Sequence, residues 1–164
     1  MTARPLAHSL AALGLLVTAA CGGSASPGSS AAQTTPTPSP TPAPVVQTAS
    51  ATVAGQSMTI LVDTKGMTLY RWTNDKAGTS NCAAACLAVW PPLEVTDASA
   101  TLTGGAGVTG KLATTNDANG KPQLTYNSWP LYFYAKDKSP GDTTGQGVGG
   151  KWFVVTPDQA PPSS

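Results

Sequence analysis

The sequence predicts a small, mainly β domain built of two pseudo-repeated β-hairpin halves with one short helix, preceded by a disordered tether. Three observations carry that prediction. All ten aromatic residues lie between Tyr70 and Phe153, and every charge except Arg4 lies between Asp63 and Asp158. Sliding the chain along itself at one fixed spacing places Leu69-Tyr70 on Leu131-Tyr132, Trp72 on Tyr134, Asp75-Lys76 on Asp137-Lys138 and Trp90 on Trp152, and recurrence at a fixed spacing marks a duplicated unit. Within each copy, β-prone runs alternate with short polar turns. Nine Lys plus Arg stand against eight Asp plus Glu, so the chain lacks the basic footprint of a nucleic-acid binder.

The elements follow in order. Residues 1–20 read as a signal peptide: a cation at Arg4, an uncharged apolar run from Leu10 to Ala20, then Cys21. A run of about 11 residues suits an export signal and is too short for a bilayer, which takes about 20. Thr18-Ala19-Ala20-Cys21-Gly22-Gly23 resembles the lipobox of bacterial lipoproteins, although Thr18 replaces the usual leucine. The resemblance implies cleavage before Cys21, acylation of its sulfur, and anchoring to the outer face of the cell membrane. The only histidine, His8, leaves with the signal, and mechanisms that need an imidazole leave with it.

Residues 21–51 then read as the acylated cysteine and a linker. From Gly22 to Ala51 there is no charge, and Pro27, Pro36, Pro38, Pro40, Pro42 and Pro44 interrupt the run. Such a segment buries too little apolar surface to offset its ordering entropy. Its Thr-Pro and Ser-Pro alternation also suits O-glycosylation.

The folded domain is expected over residues 52–158, with repeats at about 57–96 and 119–158 and a disordered tail at 159–164. Thr59 to Val62, the turn Asp63-Thr64-Lys65-Gly66, and Met67 to Trp72 form the first hairpin. Gln123 to Tyr126, Asn127-Ser128, and Trp129 to Tyr134 form the second, with Pro130 demanding a strand edge or start. A helix is expected from Ala83 to Val89, capped by Ser80 or Asn81 and stopped by Pro91-Pro92. Trp152 to Thr156 is the last strand, and the glycine-rich stretches 104–110 and 145–150 are loops.

The repeated core is Tyr-x-aromatic-x-x-Asp: Tyr70, Trp72 and Asp75, then Tyr132, Tyr134 and Asp137. With Cys82 to Cys86 before Trp90-Pro91-Pro92-Leu93, and Gly141 to Gly147 before Trp152 to Val155, the chain resembles the bacterial lipoproteins with a Yx(FWY)xxD motif, a secreted repeat of unknown function. The resemblance implies an envelope location and a repeat architecture, and it implies no mechanism.

Several groups could carry chemistry. Strand alternation sends Tyr70 and Trp72 to one face, and Tyr132 and Tyr134 likewise; such pairs form either a packed core or, if exposed, a carbohydrate platform. Asp75 and Asp137 suit turns in which a carboxylate accepts amides one to three residues on, while Asp137 with Asp142 is a thin oxygen set for calcium. Once Cys21 is acylated, Cys82 and Cys86 are an even pair in an oxidising compartment, which favours a disulfide. Regular helical spacing is too wide for that bond, so the bridge sits at a bent helix start or the thiols are free. Free thiols, completed by Met58 and Met67, would suit Cu(I). The expectation is a non-enzymatic, membrane-anchored envelope module with no cofactor, which binds a wall component or an envelope protein; copper handling and sugar binding are the alternatives.

Overall fold

The computed structural model describes residues 43–162; the expected signal peptide, Cys21 and most of the linker lie outside them. The described chain forms seven short strands: β1 (Gln47–Val53), β2 (Gln56–Val62), β3 (Tyr70–Trp72), β4 (Leu112–Asn116), β5 (Pro122–Tyr126), β6 (Trp129–Pro130) and β7 (Trp152–Val154). A five-residue helix, α1 (Ala85–Val89), follows β3. They make three small sheets, β1-β2, β3-β7 and β4-β5-β6.

The first strand corrects the expected boundary. β1 begins inside the segment expected to be linker and pairs with β2 along its whole length, from Gln47↔Val62 to Val53↔Gln56. Val46 is fully buried, and Ala51 and Val53 point into the core. Neither charge nor aromatic content marks β1, because its outward positions are Gln, Thr and Ser. The Ala54-Gly55 turn, with φ of 49° and 84°, is the two-residue left-handed hairpin turn that matches strand twist. The tail is also ordered beyond its expected limit: Tyr126 Oη donates to Pro157 O (2.6 Å), and Trp129 Nε1 donates to Ala160 O (2.8 Å).

Both expected turns form. Asp63 Oδ1 accepts the Lys65 and Met67 amides at 2.8 Å, with Gly66 at φ 82°. Asn127 and Ser128, at φ 46° and 69°, close the β5-β6 hairpin, and Pro130 sits in the outer strand of its sheet, where a missing N–H is tolerated. The helix is shorter than expected and no side chain caps it. Ser80 and Asn81 are engaged elsewhere, the first with Tyr132 and the second with Asp75 and Asn74.

The halves are joined by trading strands. Tyr70 N donates to Tyr132 O (2.8 Å) and Tyr132 N returns the bond to Tyr70 O (3.0 Å), so the two motif tyrosines face each other across a pseudo-twofold axis. The segment after α1 pairs with the second half: Phe133 N donates to Pro91 O, Leu93 N to Leu131 O and Ala135 N to Val89 O. The second half answers at equivalent positions, with Arg71 opposite Phe153, Val155 N donating to Leu69 O and Thr73 N to Lys151 O. Alternation then divides the interior. Tyr70, Trp90, Tyr132, Tyr134 and Trp152 join Ile60 and Val62 in one cluster; Leu61, Leu69, Leu124, Tyr126, Leu131 and Val155 form the other with Val46.

Removing residues 43–53 deletes β1 and Val46. The shortened domain is expected to lose hydrogen-exchange protection along β2, whereas a chain starting at residue 43 retains it. Unchanged protection of the Ile60 amide after the deletion would contradict this strand assignment.

Candidate functional site

The repeated Tyr and Asp residues are assembled at the axis. Tyr70 Oη donates to Asp137 Oδ2 (2.7 Å), and Tyr132 Oη donates to Asp75 Oδ2 (2.7 Å). Each half therefore supplies the carboxylate for the other half's phenol. The second oxygen of each aspartate ties down its own loop: Asp75 Oδ1 accepts the Asn81 amide (2.8 Å), and Asp137 Oδ1 accepts the Thr144 amide (3.1 Å) and hydroxyl. The amides expected as partners, one to three residues on, are not the ones these carboxylates accept; the loops they close are longer and run to Asn81 and Thr144. Ser80, expected as a helix cap, and Thr144, marked in the sequence only as part of the Gly141 to Gly147 stretch, bring hydroxyls to Tyr132 and Asp137.

The rings between these pairs form a column. Trp90 and Trp152 stack at its centre, 3.8 Å between centroids and 2° from parallel. Tyr134 lies against Trp90 at 4.3 Å and Trp72 against Trp152 at 5.2 Å. Tyr70 meets Trp90 edge-on and Tyr132 meets Trp152 in the same way. The order Trp72, Trp152, Trp90, Tyr134 maps onto itself when the two halves are exchanged. Tyr70 and Tyr132 are fully buried and Tyr134 is 7 % exposed, so these pairs are a core and present no sugar platform; Trp72 alone stays partly exposed. The match of Trp90 with Trp152 is the sequence signal for this column.

Burial shapes the electrostatics. It pushes the Tyr70 and Tyr132 phenols far above the ordinary tyrosine range, and the facing carboxylates push the same way. Burial also raises Asp75 to about 6, against the lowering pull of the Asn81 amide and the Tyr132 hydroxyl. Asp142 is exposed, and the amides of Lys138 and Ser139 hold it below the usual carboxylate range. With Asp137 already bonded through both oxygens, Asp142 has no free carboxylate beside it with which to coordinate calcium.

Cys82 and Cys86 are joined in a disulfide with Cα atoms 5.3 Å apart. Ala84, between them, has φ 41° and ψ −106°, so the bridge lies at an irregular helix entry, the geometry that the spacing required. Cys82 is buried in the aromatic cluster, and Met58 packs at its edge. Bonded to each other, the sulfurs offer Cu(I) no thiolate, and Met67 is a partly buried residue beside the Asp63 turn. Among the described residues no group of three His, Cys, Asp or Glu side chains could hold a metal.

A cleft of about 300 Å³ opens over Leu93, Leu102 and Leu124, rimmed by Asp63, Glu94 and Asp97. All three carboxylates are committed: Asp63 to its turn, Glu94 to Lys121 (3.0 Å) and Asp97 to Ser99.

Two outcomes follow from the paired phenols and carboxylates. Tyr70→Phe leaves an Asp137 oxygen without its donor and is expected to destabilise by about 1–3 kcal/mol in denaturant unfolding, with Tyr132→Phe acting alike; a neutral effect of both would remove the motif's structural role. For Asp75, the folded protein holds the proton more tightly than the unfolded chain, which titrates near 4. That contribution is complete below about pH 4 and is lost as pH rises through about 6. Unfolding curves of wild type and Asp75→Asn should therefore diverge over this window, wild type losing ground as pH rises, and run parallel above it.

Residues 51–94 and 113–156 each match the family model described as a secreted repeat of unknown function. The two matches stand at the same spacing that carries Tyr70 onto Tyr132 and Trp90 onto Trp152. No curated protein and no solved structure matches the chain. The chain belongs to this family of secreted repeats, as an extracytoplasmic protein with two copies folded into one another.

Proposed function

We propose that the protein is a lipid-anchored module of the cell envelope that binds a wall component or an envelope protein and catalyses no reaction. The observation that carries this reading is the inward use of the family motif. Tyr70, Asp75, Tyr132 and Asp137 bond to one another across the axis, so the residues that define the repeat serve the fold and leave recognition to the surface. The described residues contain no histidine and a single glutamate, Glu94, already paired with Lys121, which leaves few groups for general acid–base work. The disulfide serves to fix the helix entry, and copper handling would require that it first be reduced.

Anchoring rests on the sequence around Cys21, with the proline-rich segment as spacer. The neutral charge balance makes neither anionic lipid nor nucleic acid a natural partner of the domain.

Cys21→Ala is expected to abolish metabolic labelling by a fatty acid and to release the protein into the medium. Labelling that survives the substitution would overturn the anchor.

A further inference from the structure

The two halves correspond position by position through the motif, and one departure falls on a charge. Arg71 occupies the place held in the second half by Phe133, which packs against the leucine-rich cluster. The guanidinium carbon of Arg71 lies 4.7 Å from the centre of the Trp129 ring and 5.4 Å from that of Phe153. Its Nε donates to Gln159 Oε1 (2.8 Å). The segment bearing Gln159 is itself pinned, since Asn127 Nδ2 donates to Gln159 O and Trp129 Nε1 to Ala160 O, both at 2.8 Å. In the first half the places of Trp129 and Phe153 are taken by Met67 and Pro91. The cage therefore exists once, although its framework exists twice.

A guanidinium carries five N–H donors in a rigid fork. Here one is used, and among the described residues the Arg71 side chain makes no other hydrogen bond and has no carboxylate within ion-pair distance. Burial alone lowers its pKa, because a cation taken partly out of water is unfavourable unless a counter-charge meets it. Contact with aromatic faces partly offsets that, yet it uses the plane of the group, and the Nη1/Nη2 edge has no hydrogen-bond partner among the described residues. That edge matches two oxygens of a planar anion. A single guanidinium with no second cation in the cage suits one negative charge better than two.

We propose that Arg71, framed by Trp129, Phe153 and Gln159, is a binding site for a carboxylate group, held bidentate by the Nη pair and flanked by apolar ring surface. The proposal deepens the binding-module reading, on which it rests, by naming the ligand chemistry that this partly buried patch would recognise. It fits acidic sugars and peptide termini, which combine a carboxylate with apolar edges.

The test uses the full chain carrying Cys21→Ala, followed by NMR at constant ionic strength. Glucuronate and acetate are the probes; glucose and inorganic phosphate are the comparators. Glucuronate should shift the Arg71 Nε–H and the Trp129 indole N–H saturably, and glucose should not. Arg71→Met keeps the aliphatic stem and should weaken glucuronate binding about ten- to a hundredfold, the value of one lost charge-assisted contact. Arg71→Lys keeps the charge without the fork and should also weaken it; this variant decides the matter if Arg71→Met fails to fold. No saturable shift, equal binding by wild type and Arg71→Lys, or phosphate binding tighter than glucuronate would each overturn the proposal. Fatty-acid labelling at Cys21 is read separately, so failure of the carboxylate site and failure of the anchor are distinguishable.

Discussion

Two buried hydrogen bonds, Tyr70 to Asp137 and Tyr132 to Asp75, tie the structure together, because each spans the boundary between the halves. A phenol buried without an acceptor and a carboxylate buried without donors are both costly. Neither half meets that requirement with its own residues. The second oxygen of each aspartate then anchors a loop that precedes Trp90 or Trp152, so placing the phenol also places the ring that stacks on the axis. The motif is a joint: remove one side, and the other side holds an unsatisfied buried group.

The strand exchange follows from the same constraint. A tyrosine can reach the opposite carboxylate only if the two motif strands lie side by side, and the paired amides of Tyr70 and Tyr132 put them there. Once adjacent, each motif strand has a second edge to satisfy. That edge is covered by the segment following the other half's loop, which carries Trp90 in one case and Trp152 in the other. The aromatic column is the side-chain consequence of this backbone arrangement, and the leucine-rich cluster is its reverse face.

Much of this is legible in one dimension. Alternation correctly assigns Tyr70 and Trp72 to one face and Leu69 to the other, and the fixed spacing between like residues anticipates the repeat. What the pattern cannot express is partnership. Recurrence of Tyr and Asp says that both copies need them and is silent on which tyrosine meets which aspartate, so local amides are the natural expectation for Asp75 and Asp137. β1 is hidden for a different reason: half of a two-residue-turn hairpin with polar outward positions has the composition of a linker, and only pairing with β2 distinguishes the two. The tail near Gln159 is similarly hidden, since its order comes from distant donors on Arg71, Asn127 and Trp129 that no local pattern announces.

The strand exchange also bears on the order in which the chain can fold. The first half's β2 and motif strand wait for partners near Val155, and Thr143 reaches back 91 positions to the carbonyl of Thr52. Contacts of such separation must close long loops before they stabilise anything, which slows folding. Neither core is complete until the segment around Val155, which bonds to both Leu61 and Leu69, is in place. The last strand is therefore as much a part of the first half's interior as of its own, and the two halves close together or not at all.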